Sequence, residues 1–202
     1  MPGNNDSETN EGQAKAHFIV GIGASAGGLE ALQRFFEAVE PGQPVSYVIV
    51  QHLSPDHKSL MVELLAKHTE LEVKQVRDGM RCEPDTVYQI PPKTVMTLED
   101  GQLRLREISQ NRQTLNLPID VFFRSLAEEA AEHAVAVVLS GTGSDGTRGV
   151  RAIKENGGIV LAQNEESSRF FGMPSSAIAT GLADFVTEPE HMPRQIYDYI
   201  HH

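Results

Sequence analysis

Three polar residues whose side chains could cooperate in acyl transfer each lie shortly after an apolar run. These runs begin at positions 17, 45 and 134, and the residues that follow them are Ser25, His52 and Asp145. Loops at the carboxyl edge of a parallel sheet converge on one crevice, so residues distant in sequence can meet there. A hydroxyl nucleophile, an imidazole base and an orienting carboxylate together form a hydrolytic site. The pattern therefore predicts a hydrolase.

The turn that contains Ser25 permits three interpretations. Residues 21–26 fit the G-x-G-x-x-[GA] fingerprint of dinucleotide sites, but the second apolar run ends without the acid that holds a ribose. Residues 23–27 fit the G-x-S-x-G elbow, in which small neighbours let a sharp turn expose the serine hydroxyl. In the third interpretation Ser25 only caps the following helix. The elbow is favoured because capping leaves His52 and Asp145 unexplained, and nucleotide binding stays open as a weaker alternative.

The base and the acid each have a simpler alternative. His52 is the candidate base because imidazole titrates near neutrality and can accept the Ser25 proton, although a lone histidine is more often structural. Asp145 is the candidate orienting acid, and its simpler interpretation is an N-cap for the helix that follows it. Asp120 and Asp184 are the reserve candidates for the acid.

Four further residues are candidate oxyanion or substrate contacts. Ala26 and Gly27 directly precede the helix that begins at Gly28, where backbone N–H groups can stabilise an oxyanion. Thr142 lies in the same loop as Asp145. Met173 belongs to a Phe-Phe-Gly-Met-Pro segment that could form an apolar wall beside the site, with one of its phenylalanines in the core.

Short β-branched runs alternate with amphipathic stretches over most of the chain. The amphipathic stretches predict helices over 28–39, 57–68, 119–133 and 145–156. Because the runs between them are apolar on both faces, the alternation predicts an α/β fold. We expect a doubly wound, mostly parallel sheet with helices on both faces.

The middle of the chain breaks this rhythm. Residues 86–90, 94–98 and 102–106 are predicted strands, and the Asp100-Gly101 pair between the last two signals a hairpin. We therefore expect a small antiparallel hairpin extension in this region.

Length and charge limit the setting. At 202 residues the chain can bury the core of one domain. Residues 1–15 are polar and predict a disordered leader or linker, which leaves 16–202 as the catalytic domain. With 17 Lys and Arg against 28 Asp and Glu, the net charge of −11 would repel a polyanion. We expect no nucleic-acid partner and no binding to anionic membranes.

Cysteine usage and hydropathy point to a cytoplasmic protein. The single cysteine, Cys82, excludes an internal disulfide framework and a multi-cysteine metal site, so a reducing compartment is predicted. The longest apolar runs span six to eight residues, whereas about 20 are needed to cross a bilayer. We expect a soluble domain without membrane insertion. The histidine spacing does not suit a metal site, and we predict no cofactor.

Six segments, in order along the chain, form a set of short motifs. The segments are 23–28 (Gly-Ala-Ser-Ala-Gly-Gly), 50–55 (Val-Gln-His-Leu-Ser-Pro), 118–125 (Pro-Ile-Asp-Val-Phe-Phe-Arg-Ser), 139–146 (Leu-Ser-Gly-Thr-Gly-Ser-Asp-Gly), 162–165 (Ala-Gln-Asn-Glu) and 171–174 (Phe-Gly-Met-Pro). Together they resemble the motifs of the catalytic domain of chemotaxis protein-glutamate methylesterases, the CheB family. The resemblance covers nearly everything from about residue 17 to 190.

This resemblance implies a serine hydrolase that removes methyl esters from glutamate side chains of chemoreceptors and releases methanol. The family can also deamidate receptor glutamines. By the resemblance, Ser25 matches the nucleophile, His52 the base and Asp145 the orienting acid, and the partners are methylated cytoplasmic receptor helices. The alternative is a non-catalytic regulatory module that docks receptor helices or a nucleotide. The intact set of three residues favours the enzyme.

The chain departs from the usual family pattern in three ways. Ala26 stands where threonine is common, and Thr142 stands where methionine is common. The usual enzyme also carries an amino-terminal phosphoacceptor domain, whereas only a short polar segment precedes the domain here, so no aspartyl phosphorylation is expected within this chain.

Two segments are similar to one particular arrangement of the family. Residues 51–59 and 140–148 are similar to the methylesterase domain that opens fusion proteins containing a receptor methyltransferase and sensory modules. Such downstream domains of the same protein are therefore candidate partners, and control of the site could come from them.

A positive rim would suit an acidic receptor helix. Four arginines lie in or near loops that could supply it, although each could equally be solvated surface. They are Arg77, Arg148, Arg151 and Arg169.

Overall fold

The computed structural model describes residues 16–52, 60–108 and 117–202. Strands and helices alternate over most of this length. In chain order they are β1 (Phe18–Ala24), α1 (Gly28–Glu37), β2 (Val45–Gln51), α2 (Leu60–Ala66), β3 (Glu72–Gln75), β4 (Met80–Arg81), β5 (Thr86–Gln89), β6 (Thr94–Glu99), β7 (Gln102–Glu107), α3 (Pro118–Ala130), β8 (Ala134–Val138), α4 (Thr147–Glu155), β9 (Ile159–Gln163), α5 (Gly172–Ala179), β10 (Phe185–Thr187) and α6 (Met192–Ile200).

Seven strands form one sheet in the order β10-β9-β8-β1-β2-β5-β3, and every neighbouring pair in it is parallel. From β1 the chain continues to β2 on one side, and it later returns through β8 on the other side. The strand order therefore reverses between β1 and β8, which is the point where doubly wound sheets bind their ligands. The predicted fold class is confirmed.

The two faces of the sheet pack against different helices. Buried side chains of α1, α2 and α6 cover one face, and those of α3, α4 and α5 cover the other. Successive residues of a strand point to opposite faces, so one strand can serve both cores. In β1, Val20 and Ile22 belong to the first core and Ile19 to the second.

Close packing of α3 on β1 explains the glycines that resemble a dinucleotide fingerprint. A side chain at Gly23 would lie 2.6 Å from Ile119 Cγ2, and one at Gly21 would lie 2.9 Å from Leu126 Cδ2. Both glycines therefore make room for α3. The same pattern needs no bound phosphate to account for it.

A second, three-stranded sheet in the order β4-β7-β6 packs beside α3. Its hairpin turns at Asp100 and Gly101, whose φ angles of 51° and 74° suit a tight two-residue connection. The Leu98 N–H donates to the Ser125 hydroxyl of α3 at 2.9 Å, which ties the hairpin to the domain. The predicted hairpin extension is therefore present.

The assignment of residues 86–90 to the antiparallel region is wrong. These residues contribute β5, which lies between β2 and β3 in the large sheet and is parallel to both. All four residues of β5 are buried, as expected for a strand inside a covered parallel sheet.

The predicted helices differ from the observed ones at their ends, and α2 ends at Ala66 instead of residue 68. α1 ends two residues before the predicted limit, and α4 begins two residues after it. α3 ends at Ala130 and is followed by a 3₁₀ turn over Ala131–His133. Part of the helix predicted over 57–68, and the predicted leader 1–15, lie outside the described residues. Among the described residues, no helix is both long and apolar enough to cross a membrane.

Candidate active site

Ser25 lies in the turn between β1 and α1. Its N–H donates to the Ser140 carbonyl at 3.0 Å, and its own carbonyl accepts the Gly28 N–H at 2.9 Å. The cap residue of α1 is Gly27, with φ 71°, and no side chain caps this helix. The Ser25 hydroxyl is therefore not occupied by the capping role that the sequence left open.

His52 lies beside Ser25 because β1 and β2 are parallel neighbours in register. Ala24 pairs with Gln51, so the next residue of each strand, Ser25 and His52, emerges at the same edge. The His52 N–H donates to the Ala24 carbonyl at 3.4 Å. The imidazole is 40% exposed, so a substrate can reach it from solvent.

Asp145 contacts His52 and also caps α3. Its Oδ2 lies 2.9 Å from His52 Nε2 and accepts the Ile119 N–H at 3.1 Å, while Oδ1 accepts the Asp120 N–H at 2.9 Å. The carboxylate is only 5% exposed, and these bonds replace the water it has lost. Asp145 is therefore an N-terminal partner of α3 and not the N-cap of the helix that follows it, because the cap residue of α4 is Gly146.

This arrangement assigns different roles to the two imidazole nitrogens. Nε2 faces the carboxylate, which favours the tautomer that carries its proton there. Nδ1 is then the nitrogen left to accept a proton from Ser25. Among the described residues no hydrogen bond joins the Ser25 hydroxyl to the ring, and such contacts commonly tighten only when substrate is bound.

The two reserve acids serve other parts of the fold. Asp120 Oδ1 accepts the Gly149 N–H at the start of α4 at 2.8 Å. Burial raises the pKa of Asp120, and the nearby Asp145 charge adds to the rise while backbone N–H groups oppose it. Asp184 pairs with Lys154 at 2.8 Å and accepts the Val160 N–H at 2.8 Å. Neither replaces Asp145 beside His52.

Ser140 organises the turn of the candidate nucleophile and was not singled out from the sequence. It is fully buried; its carbonyl accepts the Ser25 N–H, and its hydroxyl donates to the Ala26 carbonyl at 2.9 Å. Its own N–H donates to Gln163 Oε1 at 2.8 Å. Both Ser140 and Gln163 fall within segments that resemble the family motifs, which is the signal that pointed to them. The Ala26 and Gly27 N–H groups follow at the start of α1, as candidate oxyanion donors require.

Met173 and Thr142 border the site through the loop after β8. Met173 is 1% exposed, and a side chain at Gly141 would lie 2.7 Å from its Sδ and 2.8 Å from Ser25 Cβ. Only Gly141 therefore separates the thioether from the serine. Thr142 is exposed in the same loop.

Residues 170–173, which lead into α5, differ from their predicted arrangement. Met173, expected in the wall of the site, is buried, whereas Phe170 is 41% exposed and Phe171 is partly exposed. The expectation that one phenylalanine lies in the core is therefore wrong. The backbone of Phe170 is held by Ser140, which turns its side chain outward instead.

The four predicted rim arginines are all exposed, but they occupy different places. Arg148 and Arg151 lie on α4, and Arg169 precedes Phe170 beside the Ser25 turn. Arg77 lines a different hollow, which shares Pro91 with the cavity beside His52.

A cavity of about 220 Å³ opens beside His52. Its walls come from the end of β2, the segment before β6 and the start of α3. Its lining residues are Gln51, His52, Pro91, Pro92, Lys93, Thr94, Ile108 and Pro118. Within the described parts of the chain, no group of three or more His, Cys, Asp or Glu side chains is placed to hold a metal ion.

Comparison with known proteins identifies the family. A sequence model described as CheB methylesterase matches residues 20–196 of the chain. The chain belongs to the CheB methylesterase family. The crystal structure of the Thermotoga maritima CheB methylesterase catalytic domain is similar to this CheB-family chain with a TM-score of 0.82 and 31% sequence identity, and the match covers 92% of this chain and 98% of that one.

Two curated relatives place the CheB-family domain within longer proteins. A protein-glutamate methylesterase/protein-glutamine glutaminase of Pectobacterium atrosepticum is 36% identical over 177 residues, which are 84% of this chain and 49% of that protein. An uncharacterized 104.1 kDa protein of Rhodobacter capsulatus is 51% identical over 140 residues, 69% of this chain but 14% of that protein. The chain thus spans half or less of the length of these relatives.

Proposed function

We propose that this CheB-family domain hydrolyses methyl esters on glutamate side chains of chemoreceptor-like proteins. The observation that carries the proposal is the 2.9 Å contact between His52 Nε2 and Asp145 Oδ2, at the sheet edge where Ser25 also lies. Relatives that are 35–37% identical over most of the chain are named protein-glutamate methylesterases. That agreement favours the enzyme over a non-catalytic docking module.

The proposed reaction begins with attack of Ser25 Oγ on the ester carbonyl carbon. His52 Nδ1 takes the serine proton, and Asp145 stabilises the imidazolium that results. The negative charge that develops on the carbonyl oxygen is met by N–H groups at the start of α1, with Ala26 and Gly27 as donors. Thr142 and Met173 are further candidate contacts of the substrate in this proposal.

Collapse of the first intermediate breaks the bond to the methoxy oxygen. His52 returns its proton to that oxygen, so methanol leaves and an acyl-serine remains. Water then attacks the acyl group with His52 again as base, which restores the Ser25 hydroxyl and frees a glutamate carboxylate. The same steps with a glutamine side chain would release ammonia, and relatives carry the name protein-glutamine glutaminase as well.

The proposed partners are methylated cytoplasmic receptor helices, in a cytoplasmic setting. Methyltransferase and sensory domains of the same protein are further proposed partners. The 51% identity to a segment making up 14% of a 104.1 kDa protein supports this arrangement. Measuring the mass of the native gene product with an antibody against this domain tests it, since a product of about the domain's own mass, 22.1 kDa, would contradict it.

The test of the activity is methanol release from a methylated receptor fragment. We expect the parent to release methanol, and Ser25→Ala and His52→Ala to lose about 10³-fold or more in rate. His68→Ala is the matched control, because His68 lies away from the site and pairs with Glu37. A folded parent that binds the fragment but releases no methanol would favour the docking module.

A further inference from the structure

An exposed aromatic side chain stands next to the turn that carries Ser25. Phe170 is 41% exposed, one of few large apolar side chains that the described residues leave in solvent. A side chain at Gly27 would lie 3.2 Å from Phe170 Cδ2 and 2.9 Å from Arg169 Cβ. Arg169 and Phe170 therefore pack directly against the residue two positions after Ser25.

The backbone of this segment is fixed although its side chains are exposed. The Phe170 N–H donates to the Ser140 hydroxyl at 3.0 Å, and its carbonyl accepts the Gly141 N–H at 2.9 Å. Three residues before Phe170, the Ser167 carbonyl accepts a hydrogen bond from the Gln163 side-chain amide at 2.9 Å. Since Ser140 also holds the Ala26 carbonyl, one buried hydroxyl links the segment to the Ser25 turn. Because the backbone is already ordered, binding a ligand here costs the rotamer freedom of the side chains but no ordering of the loop.

The charge of Arg169 is opposite in sign to the net charge of the molecule, and Glu165 and Glu166 precede it in the same segment. The chain has a net charge of −11, yet Arg169 presents an exposed cation beside the site. Its guanidinium carbon lies 6.0 Å from the centre of the Phe170 ring, so the two side chains lie together. Within the described parts of the chain, no carboxylate forms an ion pair with Arg169, which leaves its donors available to a ligand.

We propose that Arg169 and Phe170 form a substrate-reading wall that binds the acidic helix on which the methyl ester is carried. This inference rests on the proposed function and names the part of the site that distinguishes a receptor helix from a small ester. Phe170 packs against the methylene groups of the esterified side chain and its helical neighbours. Arg169 pairs with unesterified carboxylates one turn away, for which its planar guanidinium is suited.

The chemistry of the substrate suits such a wall. A glutamyl methyl ester is neutral, so the reacting group itself offers no charge for recognition. The free carboxylates that surround it on an acidic helix do, and residues three or four positions apart share one helix face. A cation and an apolar surface fixed beside Ser25 can bind that face while the ester reaches the hydroxyl.

The experiment compares two substrates for each variant. One is the purified methylated receptor fragment, and the other is the γ-methyl ester of N-acetylglutamate α-amide, which carries no helix and no free carboxylate. The measured quantity is the ratio of kcat/KM for the fragment to kcat/KM for the small ester. We expect Arg169→Glu and Phe170→Ala each to lower this ratio about tenfold or more, mainly by raising KM for the fragment.

Matched controls separate local recognition from general effects. Arg124→Glu makes the same change in net charge at an exposed residue of α3, and Val186→Ala removes an exposed apolar side chain on β10, at the far edge of the sheet. Both should keep the parent ratio. Thermal unfolding of each variant confirms that it is folded.

Three outcomes would contradict the inference, and they differ in what else they imply. Ratios equal to the parent ratio in Arg169→Glu and Phe170→Ala overturn the wall and leave the proposed function standing. An equal fall in the ratio for Arg124→Glu assigns the effect to net charge and also overturns it. A parent that hydrolyses neither substrate contradicts the proposed function and, because the inference rests on it, the inference as well.

Discussion

The two oxygens of the Asp145 carboxylate connect the proposed chemistry to the fold. Oδ2 holds His52 and the Ile119 N–H, and Oδ1 holds the Asp120 N–H. N–H groups at the start of a helix favour a negative charge because they have no partners within the helix. The start of α3 therefore stabilises the same ionised carboxylate that would orient the imidazole and stabilise its charged form.

Asp145→Asn should abolish most of the activity while leaving substrate binding nearly intact. An amide cannot accept at both of its ends, so either the His52 proton or one N–H group of α3 loses its acceptor. We expect kcat to fall about 10³–10⁴-fold with little change in KM, as measured by steady-state methanol release. Asp184→Asn, at the Lys154 pair, is the control. A fall in kcat of less than tenfold for Asp145→Asn would contradict the orienting role.

Asp120→Asn should stabilise the protein at neutral pH. Burial raises the pKa of Asp120 above its ordinary 3.8, so folding favours its neutral form. The stability this contributes is fully present below the unfolded pKa and is lost as pH rises through the folded value. Asparagine stays neutral and keeps an acceptor for the Gly149 N–H. The free energy of unfolding in urea should therefore exceed that of the parent at pH 7, by less at pH 4.

A loss of stability in Asp120→Asn, instead of the expected gain, would contradict this prediction. If Asp120→Asn is less stable than the parent at pH 7, then the charge at the start of α4 stabilises the fold more than burial penalises it. Glu165→Gln, at an exposed position, is the control for loss of one negative charge.

Among the secondary-structure elements, α3 has the largest influence on the site. It presses on β1 through Gly21 and Gly23, it supports the antiparallel hairpin, and its first N–H groups bind Asp145. A change in the distance between α3 and β1 would therefore also move the N–H groups that hold the Asp145 carboxylate. Packed elements of this kind move as bodies because the core between them has little free volume.

Gly23→Ala tests the contact between β1 and α3. The new methyl group would lie 2.6 Å from Ile119 Cγ2, closer than real contacts allow. We expect a loss of about 1–3 kcal/mol in the free energy of unfolding, measured in urea, together with lower activity because Ile119 also binds Asp145. The loss in the free energy of unfolding of the Gly23→Ala/Ile119→Ala double variant should be smaller than the sum of the losses of the two single variants. Strict additivity would show that the clash is absorbed elsewhere.

Elements whose signal is local are predictable from the sequence. The apolar run of β1 and the Asp100-Gly101 turn each carry their own periodicity or turn chemistry, and both are present. β5 was paired wrongly, because a buried run of four residues contains nothing that distinguishes a parallel partner from an antiparallel one. β3 was missed because it is an edge strand with polar residues, Glu72 and Lys74 among them, and lacks an apolar pattern.

Some features of the candidate site are also predictable from the sequence, and others depend on tertiary packing. Ser25, His52 and Asp145 could be selected because each follows a strand at one sheet edge. The attachment of Asp145 to α3 could not, since its N–H partners lie 25 and 26 residues away and depend on how α3 packs. The exposure of Phe170 likewise follows from the Ser140 hydrogen bonds and not from its own apolar character.

At the scale of the whole molecule, two hydrophobic cores lie on opposite faces of one sheet and support different elements. The core under α1 and α6 supports β1, β2 and β8, whereas the other core packs α3 and α4, which flank Asp145. Cys82 lies partly buried at the border of the second core, close to the antiparallel sheet. Its chemistry can therefore report opening of that layer.

The thiol of Cys82 should be protected in the native protein. Burial raises its pKa to about 12, so the reactive thiolate is scarce at pH 8. We expect iodoacetamide to alkylate the native protein about 100-fold more slowly than the urea-unfolded chain, as followed by mass spectrometry. Raising the pH to 10 should leave this contrast in place, because the unfolded thiol ionises near 8.5. Equal rates would show that the antiparallel layer opens freely.

The most direct test of the proposed chemistry is the site at which a fluorophosphonate reacts with the protein. Such reagents phosphonylate a serine only when a base activates its hydroxyl. Peptide mass spectrometry should find one adduct, on Ser25, formed far more slowly in His52→Ala and absent in Ser25→Ala. An adduct on another residue, or labelling of Ser25 at the same rate without His52, would contradict a serine nucleophile activated by His52 and Asp145.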